Sequence, residues 1–218
     1  MKMKKIIMIL MALCLLTPAA IAQNSPALTS KQEKMCNKNA KDRNKYLKKN
    51  GYENMGSLPL QDALYKHYAK LELGAVEQLG TGHSKSKNLG RQMCLNQAMT
   101  EYASKESSQL KGRTFYDAQG NEIDTDSNEE FARFYAAFER LTQKEIKGDL
   151  QESFTVIKQN PDGSYDFTMY TTIDPTRARL NREKALNNAI AESKLAQEYA
   201  SQMSEFINEG FPTLPIDN

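Results

Sequence analysis

The 218-residue chain predicts an α+β fold: a small antiparallel sheet that includes a C-terminal hairpin, packed by several amphipathic helices and followed by a long C-terminal helix. Three observations predict it. A glycine-punctuated strand turns directly into a helix between Gly74 and Lys105. Two extended arms flank the turn cluster Asn160-Pro161-Asp162-Gly163. Several other stretches carry apolar residues at helical spacing.

Residues 1–22 stand apart from that domain. Lys2, Lys4 and Lys5 precede an apolar run, and Ala20-Ile21-Ala22 offers a small-x-small cleavage site, the pattern of a secretory signal peptide. The expected mature chain starts at Gln23, and residues 23–218 form one domain long enough to bury a core. Cys14 follows Leu13 inside the apolar run, which does not suit a lipid-acceptor cysteine. The expected location is the periplasm or the exterior. Three of the 29 basic residues leave with the signal, so 26 face 27 acidic ones. That near-neutral balance lacks the basic excess of a nucleic-acid binder. No later stretch is apolar over the length of a bilayer crossing, so the expectation is a soluble or peripherally attached chain without a transmembrane segment.

Two cysteines survive processing, Cys36 and Cys94. An oxidising compartment allows them one disulfide, and as small apolar residues they can equally be buried free thiols. The sequence leaves both readings open, because it does not show the Cα separation that a bridge requires.

The first 35 mature residues, 23–57, read as an N-terminal helix and a connector. Ser30-Lys31-Gln32-Glu33 is a capping box and Gly51 a stop. Cys36, Ala40 and Leu47, with Arg43 between, make a narrow apolar stripe. The helix should therefore lie on the surface of the core, its lysines read as a solvated face in preference to a lipid or nucleic-acid patch. The turn-rich stretch 51–60 leads into a second helix carrying Leu60, Leu64, Tyr68 and Leu71, ended by Gly74.

The run Lys48-Lys49-Asn50-Gly51-Tyr52, then Gly56-Ser57-Leu58-Pro59-Leu60, then a Gly-x-Gly strand end and an alanine-bearing helix, resembles a group of uncharacterised exported proteins of Gram-negative bacteria. The central strand and helix also resemble the small envelope-lipoprotein domain of the lipoprotein-twenty type. The resemblance implies an α+β domain in the cell envelope and supplies no catalytic residue. The chain departs from it at Leu89-Gly90-Arg91-Gln92-Met93-Cys94, where such helices carry more alanine, and in having no acceptor cysteine at the mature start.

Gly80 and Gly82 read as a packing turn between a strand and a helix that Ser84 or Ser86 caps, burying Leu95, Ala98, Met99 and Tyr102. Neither phosphate-loop pattern is met. Residues 110–116 read as a second short strand with a turn at 117–120. In the acidic stretch that follows, Asp124, Asp126 and Asn128 match the start of a calcium loop. Glu129 then stands in place of the turn glycine and Tyr135 in place of the bidentate Glu, so the motif fails. Ser127 and Glu130 instead suit a capping box. The helix so opened carries Phe131, Phe134, Tyr135, Phe138 and Leu141 on one face. Such a stripe reads as core; were it wet, Phe131, Tyr135 and Phe138 would form a partner surface.

The hairpin arms are 151–159 and 164–173. In the second, Tyr165, Phe167, Met169, Thr171 and Ile173 alternate with Asp166, Thr168, Tyr170 and Thr172, predicting one packed and one wetter face. Asp174-Pro175 opens the last helix, expected over 175–209 and ended by Gly210 and Pro212. Its small-residue stripe, with Ala178, Ala185, Ala189 and Ala196, suits close packing on another helix, within the chain or in a homo-oligomer.

The chemistry-bearing set is sparse. His67 and His83 are the two histidines, and neither has a second zinc ligand at useful spacing. His83 and Cys94 are too far apart along a helix to act as a pair. No metal or cofactor is expected. The expectation is a non-enzymatic exported module binding an envelope protein partner. The alternative is a small-molecule or degradative enzyme with a cleft near His83, Asp117 and Glu122.

Overall fold

A computed structural model describes residues 27–117, 125–193 and 196. The leader at 1–22 and most of the turn at 117–120 lie outside these residues. Helix α1 (Ser30–Lys49) begins one residue earlier than its sequence signal. Thr29 is the N-cap, and its hydroxyl accepts from the Gln32 N–H while Gln32 reaches back to the Thr29 N–H. Asn50 closes the helix and Gly51 leaves it at a φ of 79°, a region where a Cβ would be strained. Its buried residues are Cys36, Ala40 and Leu47, the stripe read from the sequence. The connector then holds a two-residue strand, β1 (Glu53–Asn54), and α2 (Leu60–Glu72) follows.

Strands β2 (Val76–Ser84), β3 (Gln151–Gln159) and β4 (Tyr165–Ile173) complete an antiparallel sheet in the order β1-β3-β4-β2. The hairpin is present, with Gly163 in the left-handed region at φ 79°. The expectation of one wet face on β4 needs correction. Phe167 and Met169 pack towards Cys94, while Tyr170 packs on the opposite side with Phe154, Val156, Leu64 and Ala40. As a central strand β4 is covered on both faces, so every residue from Met169 to Ile173 is buried.

Gly80 and Gly82 are not a turn. They lie within β2, and neither has a positive φ. Their role is close approach: a Cβ on Gly80 would overlap the Cys94 carbonyl oxygen and lie 2.7 Å from its carbon, and one on Gly82 would lie 2.9 Å from the Gly90 oxygen. Gly90 in turn leaves room for the Phe167 ring. Helix α3 (Lys87–Asp117) thus rests almost backbone to backbone on β2.

Residues 110–116 continue α3 and form no strand. Leu110, 1 % exposed, enters a cluster with Phe134, Phe138 and Leu186, and this tertiary contact overrides local β preference. Helices α4 (Thr125–Ile146) and α5 (Pro175–Glu192) pack together beside α3. Helix α4 starts ahead of Ser127, so Ser127 is not its N-cap. Phe131 and Phe138 are buried against Ala185, Leu186 and Ala189, and Tyr135 is half-buried on the same cluster. These three are core and not the partner surface entertained above. Asp174 caps α5 through the Arg177 N–H. The C-terminal helix packs within the chain, with Ser193 following it in extended backbone. Its expected run to 209 falls largely outside the described residues. Among the described residues no helix is long and apolar enough to cross a membrane.

Candidate binding groove

Because β1 is two residues long, it covers β3 only at Val156 and Ile157. The Met55 N–H still donates to the Thr155 carbonyl at 2.9 Å, and then the connector peels away. Asn54 shapes that departure: its amide donates to the Leu58 carbonyl at 2.7 Å, and its Oδ1 accepts from the Gly56 N–H. The start of β3 is also irregular, with a register shift between Glu152 and Phe154; such bulges re-aim side chains. A cavity of about 440 Å³ opens between the connector and β3, lined among others by Met55, Leu58, Asn88, Arg91, Glu152 and Ser153. A second, of about 390 Å³, shares Asn88, Arg91 and Glu152 and continues over Leu95, Leu150 and Met169.

The wall common to the two cavities is an ion pair. Arg91 Nε donates to Glu152 Oε2 at 2.7 Å, and Thr155 Oγ1 donates to Glu152 Oε1 at 2.6 Å. Glu152 is thereby fixed, its side chain 23 % exposed against 57 % for Arg91. Its hydrogen bond to the guanidinium raises the Arg91 pKa further. Beside this pair the Ser153 hydroxyl is enclosed without a hydrogen-bond partner among the described residues. That oxygen is sealed from solvent, so it is a buried unpaired group beside the groove and not a contact open to a ligand. The groove therefore offers an anion, a cation and an amide over an apolar floor. This composition suits a ligand held by hydrogen bonds.

The residues singled out from sequence fall elsewhere. Cys36 and Cys94 are free and fully buried, with no disulfide between them. They belong to opposite layers: Cys36 lies on α1, and Cys94 is sealed between α3 and β4. Burial pushes the Cys94 thiol up to about 11 and raises Cys36 as well, so neither is a thiolate nucleophile at neutral pH. His83 is exposed, and its Nδ1 lies 2.7 Å from Asp166 Oδ1 across the β2–β4 pair. This imidazole holds the Asp166 carboxyl below the usual range. Strand alternation puts His83 on the face opposite Gly82, the glycine that abuts Cys94, so His83 and Cys94 do not meet. Asp117 ends α3, and Glu122 lies outside the described residues. Among the described residues no group of three or more His, Cys, Asp or Glu is arranged to hold a metal ion.

Two polar clusters escaped the sequence reading. His67 is fully buried, with Nε2 at 2.7 Å from Glu77 Oε1 and its ring edge-on to Tyr68, Phe154 and Tyr170. Its position seven residues after Leu60 and three after Leu64, on the buried stripe of α2, was the available signal. Arg182 and Glu106 form a buried ion pair at 3.3 Å between α5 and α3, beside Tyr102. Burial raises the Glu106 carboxyl to about 7 against the pull of Arg182, and it raises the Tyr102 hydroxyl too.

Comparison with known proteins finds no matching family model, no matching curated protein and no matching solved structure.

Proposed function

We propose that the chain is an exported, non-enzymatic binding module of the cell envelope. It works in the periplasm or at the outer membrane, as the envelope domain it resembles implies, and it holds an envelope protein partner in the groove around Arg91 and Glu152. The observation that carries this reading is the braced Arg91–Glu152 ion pair shared by two cavities at the place where β1 leaves β3 uncovered. Support for a non-catalytic role comes from the buried, protonated thiols and from the burial of His67 and Glu106. Groups so enclosed cannot reach a substrate.

A photo-crosslinking residue placed at Asn88, on the groove rim, should yield discrete adducts in envelope preparations. The same residue at Leu180, an exposed site on α5, should yield none. N-terminal sequencing of the cellular protein should begin at Gln23. Equal adducts from both positions, or an unprocessed cytoplasmic chain, would overturn the reading. The competing enzymatic reading rests on the exposed His83–Asp166 pair; His83→Gln should leave the Asn88 adducts unchanged.

A further inference from the structure

Helix α1 carries an unusual outer face. Lys31, Lys34, Lys38, Lys41, Lys45 and Lys48 recur at alternating steps of three and four residues. At about 100° per residue these six and Lys49 occupy an arc of roughly 100°, shared only with Ser30. The arc lies on the side of the helix away from Cys36, Ala40 and Leu47, with Asp42 beside one edge, and every lysine in it is exposed. None forms an ion pair among the described residues, whereas the lysines and arginines of α3, α4 and α5 include several that do. Of the 29 basic and 27 acidic residues, eight and two lie on α1, leaving 21 and 25 for the rest of the chain. The near-neutral total therefore conceals a basic ridge on an acidic body.

The ridge is held at a fixed roll. Arg43, on the inward side of α1, donates from Nε and Nη2 to the Tyr170 hydroxyl at 3.0 and 2.8 Å. Its guanidinium also lies 4.9 Å from the Tyr46 ring centroid. Tyr46 and Met35 are 55 % and 45 % exposed and border the lysine arc on one side. Tyrosine beside lysine is the composition of a protein surface that rests at a bilayer interface.

We infer that the lysine ridge of α1 docks the protein onto an anionic phospholipid surface. The occupant follows from charge and shape. The row from Lys31 to Lys49 is roughly 27 Å long, straight and convex, so it meets a flat sheet of charge along its whole length. A nucleic acid or an acidic peptide would be gripped better by a concave site. Lysine supplies compact point charges suited to a diffuse anionic layer, whereas specific phosphate recognition favours the arginine fork. The inference is independent of export and of the groove, none of whose lining residues lies on α1.

The test is vesicle flotation of the chain from residue 23, which contains every described residue. Vesicles with about 30 % anionic phospholipid should capture it and purely zwitterionic ones should not, and capture should fall at least ~10-fold as salt rises from ~0.05 to ~0.3 M. Replacing Lys34, Lys38, Lys41 and Lys45 by Gln should weaken capture roughly 30-fold or more. Replacing Lys105, Lys111, Lys144 and Lys147 by Gln, on α3, α4 and the turn after α4, should leave it within about twofold. Circular-dichroism melts of both variants report whether they fold. Equal loss in both folded variants, equal capture by zwitterionic vesicles, no capture at low salt, or tighter binding to a soluble polyanion than to vesicles would each overturn the inference. Should the α1 variant fail to fold, salt dependence and lipid selectivity of the unaltered chain decide.

Discussion

Gly80→Ala tests the contact on which the fold turns. The added methyl would lie 2.7 Å from the Cys94 carbonyl carbon and 3.1 Å from Ala98 Cβ, besides overlapping the Cys94 oxygen. Carbon atoms settle at about 3.5–4.0 Å, so α3 must rise from β2 by roughly 1 Å. The obstacle is backbone and cannot rotate aside. Cys94 and Ala98, both fully buried, would then lose contacts on the sheet side, since a gap of this size forfeits about a quarter to a half of each. The expected loss is about 3 kcal/mol, at the upper end for overpacked sites. With a urea m-value of about 2 kcal/mol/M, the midpoint should fall by ~1.5 M at unchanged m. Gly112→Ala is the control, because nothing lies within 4 Å of its would-be Cβ on the exposed side of the same helix. That change should stabilise by about 0.5–1 kcal/mol. A Gly80→Ala loss under ~1 kcal/mol would refute the claim that the glycines exist for close approach.

Three further outcomes are expected. Glu106 has a folded pKa of about 7 against an ordinary 4.5, so the stability it contributes is full below pH 4.5 and is lost as pH rises through 7, by on the order of 3 kcal/mol. Denaturation followed across that window should show this slope, and Glu106→Gln should flatten it; an unchanged slope in the variant would assign it to another group. Both thiols should resist a thiol reagent in the folded chain and react fully in denaturant. Prompt reaction of Cys94 at neutral pH would contradict its burial. Tyr170→Phe removes the acceptor of two Arg43 bonds and should cost about 1.5–3 kcal/mol in urea denaturation. A change within ~0.5 kcal/mol would show that Arg43 is satisfied by water.

Legibility in the sequence followed the range of the signal. The hairpin showed because its second arm alternates with period two after a turn cluster, and α1 showed because its stripe and stop are local, although its capping box lies one residue before the one read from the sequence. Gly-x-Gly misled because glycine marks a sharp turn and a close contact alike, and only the position of α3 separates the two. Residues 110–116 misled because their aromatic and β-branched content suits a strand, while Leu110 is claimed by a cluster built with α4 and α5. The groove was not legible. Arg91 and Glu152 lie 61 positions apart, and the opening depends on where a two-residue strand stops. His67 could have been found, since a histidine on a buried helical stripe demands a partner and Glu77 stands ten positions on.

The two layers meet the sheet in different ways. On the α3 side a steric fit, in which glycines admit a helix backbone that tolerates no added atom, is joined by the Arg91–Glu152 ion pair and by Gln97 accepting from the Thr81 N–H and hydroxyl. On the α1 and α2 side the fastening is directional, without the glycine contact. Arg43 donates to Tyr170, and His67 meets Glu77. Directional bonds to fixed strand positions set the roll of a helix, which a greasy stripe of three residues on α1 could not do alone. That roll decides which side of α1 faces outward. Loosening it by Tyr170→Phe should therefore raise amide exchange in α1 and leave α3 protected. Uniform loss of protection in both helices would mean that the layers unfold as one and that the polar clamp has no separate task.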